Sequence, residues 1–224
     1  MIYHPSFQTP LPQDVIIQAG DAALEGILSV PQGAKGIVVF VHGSGSSRFS
    51  PRNHYVAKLL NQAGLATLLF DLLTPQESQI DEMTRELRFD IPLLSRRTIA
   101  TIDWLNEHAS LGKLSIGLFG ASTGAAAALN AAQARPNEVE CVVSRGGRPD
   151  LAADALADVL APTLLIVGSY DSEVMELNRW AQQKMTQANC ELQSVHGATH
   201  LFEEPGTLEA AAESAKNWFL TYLS

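Results

Sequence analysis

Apolar residues along the chain fall into two kinds of stretch. Residues 36–41, 65–70, 114–119, 139–144 and 163–167 are short runs that are apolar almost throughout, as expected of strands covered on both faces. Between them lie longer stretches with helical spacing: near 53–63, near 91–108, an alanine-rich one from Thr123, a short one near Asp150 and one from about Val174. A last strand is expected near 191–195, followed by a closing helix. Ahead of the alternating part, residues 15–19 and 24–30 read as two strands joined by a turn at Gly20-Asp21. The predicted architecture is a mostly parallel α/β sheet with helices on both faces and an antiparallel edge. In the closing helix Leu208, Ala211, Ala212, Ala215, Trp218, Phe219, Tyr222 and Leu223 share one face, which reads as core packing rather than a ligand box.

Length and charge narrow this picture. The 224 residues suit one domain with a substantial core, and no repeat or linker divides them. A net charge of −9 argues against nucleic acid or an anionic membrane surface as the main partner. Met1-Ile2-Tyr3-His4-Pro5 shows no basic segment followed by an apolar one, so no signal peptide is expected and the cytoplasm is the expected location. Apolar runs such as 37–41 are too short to span a bilayer. Cys141 and Cys190 each lie in a strand-like run and read as buried, reduced thiols rather than a disulfide or a metal site.

Sheets of this kind place their chemistry beyond the carboxyl ends of the strands, and several strand ends here carry reactive residues. Gly120-Ala121-Ser122-Thr123-Gly124 follows a strand and opens a helix, the setting of a nucleophile elbow. Small neighbours permit a sharp turn with the Ser122 hydroxyl at its apex. The helix start puts the Thr123 N–H and a partial positive charge beside a developing oxyanion. The same stretch resembles the glycine-rich turn of short-chain dehydrogenases. Against that reading, Ala126 stands where another glycine is needed, the turn does not follow the first strand, and no Tyr-x-x-x-Lys pair is present.

His42-Gly43-Ser44-Gly45-Ser46-Ser47 forms a second such loop. Its Ser44 N–H is the candidate second oxyanion donor, and His42 is expected to support the loop. It lacks the Gly-Lys-Ser/Thr ending of a phosphate-binding P-loop. After the strand at 163–167, Asp171 is placed to orient a histidine, with helix capping as its competing role. Asp150 is a rival acid and Asp71 a turn-stabilising residue; strand order favours Asp171. His200, between the last strand and the closing helix, is the base candidate, ahead of His196 at the strand end. Gly197 and the strand boundary spoil His196 and His200 as a helical metal pair. His4, His54 and His108 read as surface or helix-end residues.

Ser122, Asp171 and His200 thus occur in one chain order, each just past a strand expected to end on the same edge. On these residues the chain resembles the α/β-hydrolase superfamily over roughly 15–223. The absence of a large insertion between later strands looks most like its compact dienelactone-hydrolase-like branch, with no large cap domain. The resemblance implies a Ser122-Asp171-His200 triad and an oxyanion hole of the Thr123 and Ser44 N–H groups, with no cofactor or metal. Dienelactone hydrolases carry a cysteine nucleophile where this chain has Ser122. The implied reaction therefore broadens to acyl transfer on a carboxylic ester, lactone or thioester, with a small-molecule ester-like substrate. A peptidase or perhydrolase would use the same triad, and a non-catalytic ligand-binding or interaction module is the alternative from another class.

Two further features bear on the substrate. Arg48 and Arg52 follow the Ser44 loop, and Arg145 and Arg148 follow the strand at 139–144. One or two of these four, with Arg48 and Arg145 put forward, are candidate contacts to an anionic substrate group, against internal pairing of Arg145 or Arg148 with Asp150. Residues 76–90, with Met83, Leu87 and Phe89, either cover the pocket as a short lid or form a solvated loop and helix.

Overall fold

The computed structural model describes residues 10–223; His4 and the start of the chain lie outside that range. Eight strands form one sheet in the order β1-β2-β4-β3-β5-β6-β7-β8. They are Gln13–Ala19 (β1), Ala22–Ser29 (β2), Gly36–Val41 (β3), Ala66–Phe70 (β4), Ser115–Ala121 (β5), Val139–Arg145 (β6), Thr163–Gly168 (β7) and Cys190–Val195 (β8). β2 runs antiparallel to both β1 and β4, and all pairings from β4 to β8 are parallel.

The apolar runs are explained by cover on both sides. In β3, Val38 and Phe40 belong to one core layer with Val56, Leu60, Ala211 and Phe219. Ile37, Val39 and Val41 belong to the opposite layer with Ile102, Leu105, Ala126 and Leu129. Pro51–Gln62 (α1) and Thr207–Tyr222 (α6) therefore cover one face, and Ile91–Glu107 (α3), Thr123–Ala134 (α4) and Ser172–Lys184 (α5) the other. The predicted stripe on α6 lies in this core, with Leu208 and Tyr222 at its margin. Each fully buried aromatic such as Phe40 or Phe119 contributes roughly 2–3 kcal/mol of transfer free energy.

Helix starts are set by local chemistry. Ser50 Oγ accepts the Asn53 N–H ahead of Pro51, and Asp90 accepts the Leu93 N–H at the start of α3. Pro75–Thr84 (α2) opens on a capping box, in which Thr74 and Glu77 each accept the other's backbone N–H. The segment at 76–90 is thus a helix and a short 3₁₀ turn, pinned where buried Asp81 accepts from Arg88 Nε at 2.6 Å and from the Arg88 N–H at 3.0 Å. Burial pushes the Asp81 pKa up, but the Arg88 hydrogen bonds and charge outweigh it and hold the carboxyl below its usual range. The short helix expected near Asp150 is a 3₁₀ turn, Pro149–Ala152. Cys141 is buried and free as expected, whereas Cys190, on the edge strand β8, is only partly buried. Among the described residues no helix is long and apolar enough to cross a membrane.

Candidate active site

Ser122 sits between β5 and α4 with φ 50° and ψ −122°, a conformation costly for any residue with a Cβ. Three backbone hydrogen bonds hold it there. Its N–H donates to the Arg145 carbonyl at 3.2 Å, and its own carbonyl accepts from Ala125 at 3.1 Å and Arg148 at 3.0 Å. The flanking glycines are required by close approach. A Cβ on Gly120 would lie 2.5 Å from Ala125 Cα, and one on Gly124 would lie 2.2 Å from the Val41 carbonyl oxygen. The turn therefore wedges the start of α4 directly against the ends of β3 and β5.

His200 reaches this serine from the loop between β8 and α6. Its Nε2 lies 3.3 Å from Ser122 Oγ, and its Nδ1 lies 2.6 Å from Asp171 Oδ2. Asp171 occupies the N-cap position of α5, yet its side chain makes no cap hydrogen bond and faces His200 instead. An Nδ1–H donated to Asp171 leaves Nε2 as the acceptor for the serine proton. Asp150, the rival acid, is held by Arg148 at 2.9 and 2.8 Å, and His196 is exposed at the surface.

The loop after β3 is anchored from both ends. His42 is buried; its Nδ1–H donates to the Gly43 carbonyl at 2.9 Å, and its Nε2 accepts the Leu72 N–H at 3.1 Å. Burial pushes its pKa below the usual histidine value, so it stays neutral as a strut of the loop. The Ser44 N–H, expected as a free oxyanion donor, instead donates to Thr123 Oγ1 at 2.9 Å. The Thr123 N–H, at the first position of α4, has no helical carbonyl to claim it.

A family model for the dienelactone hydrolase family matches residues 24–224. The chain belongs to that family. A crystal structure of the dienelactone hydrolase from Anabaena variabilis is 54% identical, with a TM-score of 0.95 over 97% of this chain and all of that one. Est1E from Butyrivibrio proteoclasticus superposes with a TM-score of 0.77 over 93% of this chain and 98% of its own, at 16% identity, and so shares the fold. A protein of Mycobacterium tuberculosis H37Rv, provisionally named a phosphoribosyl transferase, is 54% identical over 94% of this chain. The chain spans about half the length of that relative, 46%. The fold is thus the α/β-hydrolase fold.

Within this dienelactone hydrolase family member the cysteines are remote from the site. Burial pushes the Cys141 thiol far up and the Cys190 thiol to about 12, which leaves both protonated and poorly nucleophilic. Ser122 and His200 line a cavity of about 240 Å³ with Gly43, Ser44, Arg52 and Arg145. A neighbouring cavity of about 260 Å³ shares Gly43, Ser44 and Ser46 and extends to Leu72, Asp81 and Arg88. α2 therefore does close space beside the site. Among the described residues no three His, Cys, Asp or Glu side chains converge as a metal site needs.

The arginines divide in a way the sequence did not reveal. Arg48, a candidate substrate contact, is bound to Asp71 through its backbone N–H at 2.6 Å and through its guanidinium, which also meets Glu25 at 2.8 Å. It does not line the Ser122 cavity. Arg148 pairs with Asp150. Arg145 does line the cavity, and with it Arg52, the other arginine that follows the Ser44 loop. Other contributors also went unnoticed. Thr199 donates its N–H and hydroxyl to Glu204 at 3.1 and 2.5 Å, and Ser169 Oγ accepts the Gly197 N–H at 2.9 Å, so the His200 loop is tied to itself and to the Asp171 loop.

Proposed function

We propose that the protein is a serine hydrolase that cleaves a carboxylic ester, lactone or thioester through an acyl-enzyme on Ser122. The observation that carries this reading is the continuous chain Ser122 Oγ, His200 and Asp171 at 3.3 and 2.6 Å, with the serine held at positive φ. His200 Nε2 takes the Ser122 proton as Oγ attacks the acyl carbon, and Asp171 stabilises the imidazolium that forms. The tetrahedral oxyanion is held by the Thr123 N–H and by the Ser44 N–H, which exchanges Thr123 Oγ1 for the substrate oxygen. His200 then protonates the leaving group. Water, activated by the same histidine, releases the acid. The phosphoribosyl transferase name of the mycobacterial relatives belongs to longer chains, and such a transfer forms no part of this reading.

The test is labelling with a fluorophosphonate and mapping of the modified residue, alongside hydrolysis of an activated aryl ester. Wild type is expected to carry the adduct on Ser122, and Ser122→Ala to lose both adduct and turnover while remaining folded. An unlabelled, inactive wild type with native circular dichroism would instead support a binding module on the same fold.

A further inference from the structure

Three threonines within helices donate their hydroxyl protons to the carbonyl four residues back: Thr98 to Leu94, Thr101 to Arg97 and Thr221 to Asn217, each at 2.9 Å. Thr123 has no such outlet. It is the first residue of α4, and the residue four before it, Phe119, belongs to β5. Thr123 is nonetheless only 5% exposed. Its Oγ1 accepts the Ser44 N–H at 2.9 Å, and among the described residues its own proton has no acceptor. A buried donor left unmet is costly, and a hydroxyl that accepts one hydrogen bond is polarised toward giving another. This hydroxyl also lies between the two proposed oxyanion donors, on the same residue as one and 2.9 Å from the other. Its neighbours on either side, Ser122 in sequence and Ser44 in space, both line the Ser122 cavity.

We propose that the Thr123 hydroxyl is a third oxyanion donor, from a side chain, which turns its proton to the substrate oxygen as Ser122 attacks. This rests on Ser122 being the acylated residue and adds to the two backbone donors. The geometry calls for a proton at this point. A substrate oxygen served by the Ser44 N–H must come within about 3 Å of that nitrogen, where Thr123 Oγ1 already lies. Two oxygens drawn to one N–H repel through their lone pairs unless a proton lies between them. The developing oxyanion has none to offer, and the hydroxyl has one. As the Ser44 N–H turns from Oγ1 to the oxyanion, the Thr123 O–H rotates after it, a motion about a single bond. The proton stays on Oγ1 throughout, and acyl transfer remains with Ser122 and His200. Such a bond strengthens as negative charge builds on the oxygen, so it acts on the transition state more than on the bound ester.

The experiment deletes the hydroxyl in two settings. Thr123→Val removes it at nearly constant shape. Thr123→Ser keeps it without the methyl group, and Thr123→Ala is the matching deletion. On an activated aryl ester, Thr123→Val is expected to lower kcat about tenfold to a hundredfold with KM little changed, and Thr123→Ala to fall as far below Thr123→Ser. Thr123→Ser itself is expected to stay within about threefold of wild type. A second readout needs no turnover. An arylboronic acid, which forms a tetrahedral anion on Ser122, should bind Thr123→Val and Thr123→Ala more weakly, by factors that follow their losses of kcat. A kcat for Thr123→Val at or above wild type would make the hydroxyl a mere plug on the Ser44 N–H and overturns the third donor. So does a Thr123→Ser variant no better than Thr123→Ala. That pair decides the question if Thr123→Val does not fold. An inactive wild type that fluorophosphonate leaves unlabelled overturns the hydrolase reading and the donor with it; a labelled Ser122 with kcat indifferent to the hydroxyl removes the donor alone.

Discussion

The turn at Ser122 and the loop at His200 bring one hydrogen-bonded chain together, but they are built differently. Each contains a non-glycine residue at positive φ, Ser122 at 50° and Phe202 at 55°. The Ser122 turn is fixed by backbone against backbone: two glycines that admit no Cβ, and three main-chain hydrogen bonds. The His200 loop also has main-chain hydrogen bonds, with the Ala198 and Thr199 carbonyls accepting from Tyr170 and Phe202 at 3.0 and 3.3 Å. It adds side-chain ties near solvent, Thr199 on Glu204 and Gly197 on Ser169, and its imidazole side chain is 38% exposed. Backbone contacts in a close-packed interior cannot relax one at a time. Side-chain contacts at a surface can. The serine end should therefore fail abruptly when altered, and the histidine end by degrees.

Glycine substitutions probe this contrast most strongly. In Gly124→Ala the new Cβ meets the Val41 and His42 carbonyl oxygens at 2.2 and 2.4 Å, so β3 or α4 must move. A loss of about 3 kcal/mol or more is expected, at the upper end of overpacking costs. Gly197→Ala, in the other region, meets nothing within 4 Å and suffers only from its φ of 76°, a cost of about 1–2 kcal/mol. Urea denaturation of the two variants checks the order. Equal losses would dissolve the contrast between the regions.

A smaller effect isolates the strain at the serine itself. Ser122→Ala and Ser122→Gly both delete the hydroxyl, but only glycine accepts φ 50° and ψ −122° without a steric penalty. Ser122→Gly should be the more stable of the two by about 1 kcal/mol or more, although glycine elsewhere is the destabilising choice. Thermal melts of the pair measure this directly. If alanine proves the more stable, the turn is held without strain.

This contrast also explains what the sequence could convey. Strands buried on both faces have to be apolar throughout, so β3, β5 and β7 were visible as such, and with them the strand ends carrying Ser122 and Asp171. His200 follows β8, a half-exposed edge strand with a weaker signal. The elbow was legible because close backbone approach demands glycine at 120 and 124 whatever surrounds them. Partners of long side chains were not. Arg48 reaches Asp71 because β3 and β4 are sheet neighbours whose carboxyl ends lie side by side, a fact of strand order that no local pattern contains. The same holds for Ser44 and Thr123, whose hydrogen bond spans 79 positions of sequence. Arg52, one of four arginines expected near the site, could not be singled out because its place in the first turn of α1 looks like that of any exposed helix residue. Its significance lies in an orphaned Nε that shows only when the cavity is formed.

The histidine end offers the gentlest and most discriminating perturbation. Glu204 accepts the Thr199 hydroxyl and N–H, and these hydrogen bonds, the hydroxyl's first, hold its carboxyl below the usual 4.5. Glu204→Gln keeps one oxygen acceptor but loses the charge, so the residue preceding His200 is held less firmly. Because positioning of the proposed base is graded, kcat is expected to fall roughly threefold to tenfold with KM little changed. Fluorophosphonate should still label Ser122. The sign of the pKa shift fixes the pH dependence: a lowered carboxyl is charged at every pH above its unfolded value and loses its contribution only as pH falls through the folded one. The wild-type to Glu204→Gln ratio of kcat should therefore be flat across neutral and alkaline pH. A ratio that titrates near neutrality would make Glu204 a participant in proton transfer, and the His200 loop would then be a second source of chemistry rather than an adjustable mount.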